Sequence, residues 1–231
     1  MSEKDTLKRH LDLLAEISKA ITSDWYLDDL LRLIVTMTAV VMNSRIMSLW
    51  LLDEKEKSFR LRATQAMDKE YLKERSLKWG EGVVGQVAMK REPMQIYDVL
   101  KDPYFKEKEM ARKLKLKSML SVPMCVKDRV VGVLNCYSDG FKTFHKTEIQ
   151  LLVAVANQAA VAIENTELMV KTKLIQEELE VRKLVEKAKE ILFERKGIPP
   201  AEAYRRMRKL SMDTRRSIKE IAEAIILSEE I

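Results

Sequence analysis

Apolar residues recur at Leu7, Leu11, Leu14, Ile17 and Ile21 in LKRHLDLLAEISKAI, a helical period, and a second helix fits LDDLLRLIVTMTAVVM at 27–42. The texture then changes. IMSLWLLD (46–53) and FRLRATQAM (59–67) are short and rich in strand formers, and the charged turn EKEKS between them predicts a hairpin. A short helix is expected over Lys69 to Arg75, a longer one after Gly82, and a strand near Met94 to Tyr97. SMLSVPMCVKDRVVGVLNCYS then gives two more strands about a KDR turn. Strands joined by hairpins and bracketed by helices predict an α+β domain, with a central antiparallel sheet flanked by helices.

From about Lys146 to Glu194 the pattern is helical throughout. Counting in sevens puts Val153, Ala160, Glu167, Leu174, Val181 and Ala188 in one column, and Ala156, Ile163, Val170, Glu177, Leu184 and Ile191 in the other; ten of these twelve are apolar. A seam this long with charged flanks argues for a coiled coil. The expected dimer contacts are Ile163, Val170, Leu174, Val181, Leu184, Ala188 and Ile191. Gly197 stops the helix, and Pro199-Pro200 pre-sets the first turn of the next. Ser217 to Glu220 forms a capping box opening a last helix, which presents Ile218, Ile221, Ala222 and Ile225 on one face. The C-terminal part is thus a small all-α unit of three helices fed by a long stalk.

Composition narrows the function. With 46% apolar residues the chain fills a real core, and its formal charge of +6 is too small by itself to demand a polyanionic partner. The distribution says more. Between 201 and 219 stand Arg205, Arg206, Arg208, Lys209, Arg215, Arg216 and Lys219 against only Glu202 and Asp213. The charged start, MSEKDTLKRH, lacks the apolar run of a signal peptide, and no stretch of eighteen apolar residues follows, so a soluble cytoplasmic protein is expected. Cys125 and Cys136 are too few for a disulfide framework, and His10 and His145 are too far apart in sequence to suggest a metal site.

No nucleophile-elbow, Walker or HExxH pattern occurs, and no enzyme is expected. WGEGVVGQ spaces Gly80, Gly82 and Gly85 as GxGxxG, but it lacks the preceding strand and βαβ setting of a dinucleotide loop, so it reads as a turn and helix start. The cysteines flank the KDR turn at unequal distances, which predicts buried free thiols rather than a cross-strand pair. His145, in FHKTE, stands at the entry to the long helix. Trp50 is expected in the core; Trp79, Cys125 and Cys136 are the candidates for a ligand pocket.

On a helical wheel Ala203, Tyr204, Met207, Leu210 and Ser211 share one arc, with Arg205, Arg208 and Lys209 on the other side. A basic helix face is often merely solvated. Here few acids balance it, and the run continues through Arg215 and Arg216 past the helix end, a pattern suited to phosphates.

The segment VEKAKEILFERKGIPPAEAYRRMRKLSMDTRRSIKEIAEAII (185–226) resembles the ANTAR domain, the RNA-binding unit of bacterial transcription antitermination regulators. The resemblance is carried by Ala188-Lys189, Gly197-Ile198, Ala203-Tyr204, Met207-Arg208, Ser211-Met212, Ser217 and EIAEAI at 220–225. Pro199 departs from a common Ser or Thr cap, and Ser211 from a frequent Ala. The first 165 residues resemble a GAF domain, a small-molecule or signal-sensing module, through WGEGVVGQVA, EPMQIYDVLKDPYF and SVPMCVKDRVVGVLNCYS. The resemblances imply a sensor over 1–165, a linker helix over 166–184 and an RNA-binding domain over 185–231. They further imply a homodimer that binds paired RNA hairpins in leader transcripts and prevents terminator formation. Lys189, Arg205, Arg208, Lys209, Arg215 and Arg216 are the expected phosphate and loop contacts, with Ser211 beside them. Tyr204 suits either stacking on a base or core packing. No cofactor is expected, and the sensed signal, a small molecule or a redox change, is left open. A signalling module whose C-terminal helices bind a protein or DNA is the rival reading.

Overall fold

The computed structural model describes residues 3–21, 27–65 and 75–228. The helix expected over Lys69 to Arg75 falls outside the described residues, apart from Arg75 itself. The chain divides into two compact units, Met1–Thr166 and Glu167–Ile231.

The first unit opens with α1 (Glu3–Ile21) and α2 (Leu27–Met42). Of the stripe expected on α1, Ile17 is buried, Leu14 half-buried and Leu11 exposed, while Leu13 takes the inner position. The side chains of Leu7 and Ile21 lie outside the described ones. The strands are β1 (Ile46–Asp53), β2 (Ser58–Thr64), β3 (Ser76–Lys78), β4 (Met94–Ile96), β5 (Ser118–Val126) and β6 (Arg129–Ser138). Between them lie α3 (Gly82–Lys90) and α4 (Lys108–Lys113). They form one six-stranded sheet in the order β3-β2-β1-β6-β5-β4, antiparallel at every pairing. This is the α+β architecture expected. Two elements were not foreseen: β3, a strand directly before the glycine triplet where none was expected, and α4.

The pleat sends alternate residues to opposite faces. Met47, Leu49, Leu120, Val122, Leu134 and Cys136 join a core with α1, α2 and the first turns of α5 (Lys146–Lys196). Trp50, Phe59, Met119, Val133 and Tyr137 join a second core with Val83, Val84 and Val87 of α3 and Ala111 of α4. The glycine triplet makes the start of α3: Gly80 and Gly82 have φ of +79° and +65°, and a Cβ on Gly85 would lie 2.6 Å from the Gly80 backbone. The backbone N–H of His145 donates to the Glu148 carboxylate at 2.9 Å and its carbonyl accepts from Ile149 at 3.0 Å, so it sits at the entry to α5.

In the second unit, Gly197 (φ +62°) ends α5, with the Gly197 and Ile198 amides returning to the carbonyls of Phe193 and Leu192. α6 (Pro200–Thr214) begins with Pro200 in its first turn, and α7 (Ile218–Leu227) is opened by a complete capping box between Ser217 and Glu220. Val185, Ala188, Met207, Ile221 and Ala222 form its core, with Val181, Leu184, Leu192, Ile218, Ile225 and Ile226 packed against it.

This packing redistributes the expected seam. Ile163 is buried in the first unit's core, while Ala188 and Ile191 are buried and Val181 and Leu184 half-buried in the second unit. Only Val170 and Leu174 of the seven are exposed. Much of the heptad pattern therefore records packing within the chain, because a helix lying on its own domain shows the same apolar spacing as one lying on a partner.

Candidate functional site

The basic face is built on α6 and the turn that follows. Ala203 and Met207 point into the small core, which turns the intervening positions outward. Tyr204 is 42% exposed and stands outside that core, so its place is on the surface. One turn on is Arg208, and Arg205 and Lys209 make the neighbouring row at the same four-residue spacing. Arg215 adopts the left-handed conformation (φ 56°) that ends α6, and Arg216 and the Ser217 cap follow at once. The turn is closed by the Ser211 hydroxyl, which donates to the Arg216 carbonyl at 2.6 Å.

The basic residues are not equivalent. Glu202 accepts from Arg206 Nε at 3.0 Å and pairs with Arg205 Nη2 at 2.8 Å. The Arg206 hydrogen bond, then the Arg205 charge, holds its carboxyl below the usual range. Lys189 donates to both oxygens of Glu186, at 2.9 and 2.7 Å, and only 18% of its side chain is exposed. Its expected role as an open phosphate contact is not what the geometry offers. Ser211 likewise uses its donor inside the chain. Arg208, Lys209 and Arg215 make no ion pair among the described residues. With Tyr204 they form an exposed aromatic and cationic surface with no acid clamped to it.

A second candidate lies in the first unit. A cavity of about 20 Å³ is lined by Trp50, Leu77, Gly82, Val83, Val84, Phe105, Lys106, Glu107, Met119 and Tyr137. That volume holds about one water. Beside it, on the same sheet face, runs a fully buried polar ladder across three strands. Ser121 Oγ donates to Asn135 Oδ1 at 2.7 Å, Asn135 Nδ2 reaches Ser48 Oγ at 3.3 Å and Tyr137 OH at 3.4 Å, and Trp50 Nε1 donates to Ser48 Oγ at 3.1 Å. Glu107 is ion-paired with Arg75. Burial pushes its carboxyl up, against the opposing pull of that arginine.

None of the expected pocket residues lines this cavity. Trp79 stacks on Phe59 with centroids 5.7 Å apart and stays partly exposed. Cys136 lies on the opposite face of the sheet, where burial pushes its thiol up to about 11. Cys125 follows a register shift on β5, half-buried, with its thiol also raised by burial. The two are free cysteines, as expected. The missed signal was polar: Ser48, Ser121 and Asn135 interrupt apolar strands at positions in phase with Trp50, Met119 and Tyr137. Among the described residues no cluster of three or more His, Cys, Asp or Glu groups offers a metal site, and no helix is long and apolar enough to cross a membrane.

Comparison with known proteins agrees with this division. Residues 27–164 match the GAF domain and residues 174–226 the ANTAR domain. The GAF domain of a phosphoenolpyruvate-protein phosphotransferase from Coxiella burnetii is similar in fold, with a TM-score of 0.65 and 22% identity, covering 71% of this chain and 98% of that one. The corresponding domain from Acinetobacter has a TM-score of 0.61 and 27% identity, covering 73% and 97%. A curated relative from Escherichia coli (strain K12), described as phosphoenolpyruvate-dependent phosphotransferase system, is 27% identical over 158 residues. Those residues are 68% of this chain but 21% of that protein, so the likeness is confined to the shared domain. Sheet order, the two cores and the matched residues together place this chain in the GAF domain family, with an ANTAR domain behind it, the domain pair of a signal-sensing, RNA-binding antitermination regulator.

Proposed function

We propose that this chain is a non-enzymatic, signal-responsive antiterminator, acting in the cytoplasm as a homodimer on paired hairpins in leader RNA. Residues 1–165 serve as the sensor, 166–184 as the linker and 185–231 as the RNA-binding domain. The observation that carries the reading is the open face of Tyr204, Arg208, Lys209 and Arg215, free of ion pairs among the described residues. Arginines and lysine hold the phosphates of a hairpin while the exposed ring stacks on an unpaired loop base. Arg205 and Arg216 flank this group; Arg205 must share itself with Glu202. Binding to the hairpins withdraws sequence that would otherwise pair into a terminator. Two units in one dimer raise the effective concentration for the second hairpin.

The sensor reading rests on the cavity lined by Trp50 and Tyr137, two side chains that are themselves tied by hydrogen bonds to the buried Ser48–Asn135–Ser121 ladder behind it. A ligand larger than water has to widen the cavity. It shifts RNA binding only insofar as it binds one arrangement of the protein better than another.

The deciding experiment is competition between a two-hairpin leader RNA, the same RNA with altered loops and a duplex DNA of equal length, at fixed salt. Selective retention of the first supports antitermination through hairpin loops. Equal binding to all three refutes it, since phosphate contacts alone carry no sequence information.

A further inference from the structure

From Glu167 to Glu180 every residue of α5 is exposed. Within that span the large apolar side chains run from 51% exposed for Leu179 to 69% for Met169, and include Leu168, Val170, Leu174 and Ile175. A helix segment with this composition, left uncovered by the described residues of its own chain, presents its apolar surface to something else.

At about 100° per residue these side chains fall on opposite sides of the helix. Leu168, Thr172, Ile175 and Leu179 share an arc of about 60°, continued toward the N-terminus by Asn165 and the exposed Val161. Val170 and Leu174 lie across from them, in line with the heptad seam read from the sequence. We propose that the second copy of this chain packs in parallel on the Leu168–Ile175–Leu179 face, not on the Val170–Leu174 face; the proposal rests on the homodimer reading above.

Two observations separate the faces. The Val170–Leu174 stripe is already occupied at its ends, by Ile163 in one core and by Val181 and Leu184 in the other, which leaves a second copy little of it to reach. The Leu168–Leu179 stripe is exposed along its whole length. Charge gives the second reason. In a parallel pair each seam residue faces its own copy, so a Val170–Leu174 seam sets Glu167 against Glu167 and Glu177 against Glu177. The other seam sets Asn165 against Asn165 and Thr172 against Thr172, both neutral; each seam has one opposite-charge flank pair, Glu178 beside Lys183 of the second copy here and Lys173 beside Glu178 of the second copy there, so the seam positions themselves separate the faces.

Single-cysteine variants of the full chain test this in a Cys125→Ser background; Cys136 is retained because it is buried, with its thiol pushed up to about 11. Under copper-phenanthroline oxidation, Leu168→Cys and Ile175→Cys are expected to give covalent dimers about tenfold faster than Val170→Cys and Leu174→Cys, because a disulfide needs Cα atoms within about 7 Å. Sedimentation of each reduced variant is run alongside. A dimer cross-linked through residue 170 or 174 overturns the choice of face and leaves the dimer reading intact. A monomer in sedimentation, with no cross-link at any position, overturns both. Neither readout depends on RNA.

Discussion

Met207 and Arg208 are neighbours in α6 with opposite surroundings, and substituting each in turn separates folding from binding. Met207 is 2% exposed, at the centre of a small core in which the described residues Val185, Ala188, Ile221 and Ala222 are its buried neighbours. Removing a buried Met side chain costs about 2–5 kcal/mol. A unit the size of Glu167–Ile231 has, at roughly 0.05–0.15 kcal/mol per residue, a total stability of about 3–10 kcal/mol. Met207→Ala therefore removes a large share of what holds α6 and α7 on α5. Circular dichroism melting should show an early transition for the second unit, while the sheet unit melts where it did before. Arg208 is exposed without an ion pair among the described residues, so Arg208→Ala should leave both transitions in place. Its effect belongs to RNA: about tenfold weaker hairpin binding, and a salt dependence shallower by about one counterion. An Arg208→Ala protein that melts early, or a Met207→Ala protein that melts like the parent, would refute the assignment of inward and outward faces on α6.

Four further outcomes follow from the packing. Ser217→Ala removes the hydroxyl that caps α7 and should destabilise the second unit by about 0.5–2 kcal/mol, read by urea unfolding. Hydrogen bonds from the Ser217 backbone and hydroxyl hold the Glu220 carboxyl below its ordinary value, so its stabilising effect is present above the usual carboxylate range and is lost as pH falls through the lowered value; Glu220→Gln should flatten that acid limb. Gly85→Ala drives a methyl group to 2.6 Å from the Gly80 backbone and should lower the melting point of the sheet unit while sparing the second. Leu184→Glu, which a purely intermolecular seam would make a monomer without unfolding, should instead unfold the second unit, because Leu184 packs on that unit's own core.

The long elements were legible because their periods are long enough to count. The bounds of α2 and β1 agree with the pattern residue for residue, and the two strands about the Lys127-Asp128 turn were found with it. β3 and α4 were missed for physical reasons: the six residues of α4 carry no measurable helical period, and polar Ser76–Lys78 becomes a strand only because Ser58–Arg60 is there to pair with it. The basic stretch of α6 was visible in sequence, but its division was not, because it depends on the fold, in which Glu202 engages Arg205 and Arg206 while Glu186 covers Lys189. The cavity was hidden for another reason. Its walls come from β1, β3, α3, β5, β6 and the loop before α4, so no single window of sequence contains it.

How occupation of that cavity would reach α5 is constrained by β6. Val133, Asn135 and Tyr137 face the cavity side of the sheet, and Leu134 and Cys136 face the core that includes Leu152, Val155, Ala156 and Ala159 of α5. A ligand that displaces Tyr137 or Asn135 acts on the strand whose other face packs in that core, and close-packed interiors answer such displacements by shifting as blocks. Filling the cavity from within tests this route. Its volume of about 20 Å³ is near that of one added methylene, and Val84 lines it, so Val84→Ile should occupy the space at a gain of up to about 1 kcal/mol for the sheet unit. The same side chain should abolish the melting shift produced by any metabolite found to bind the parent, and leave RNA affinity fixed whether or not that metabolite is present. A lowered melting point would mean that α3 and the sheet are already in full contact. A metabolite response unchanged in Val84→Ile would put the sensing site elsewhere.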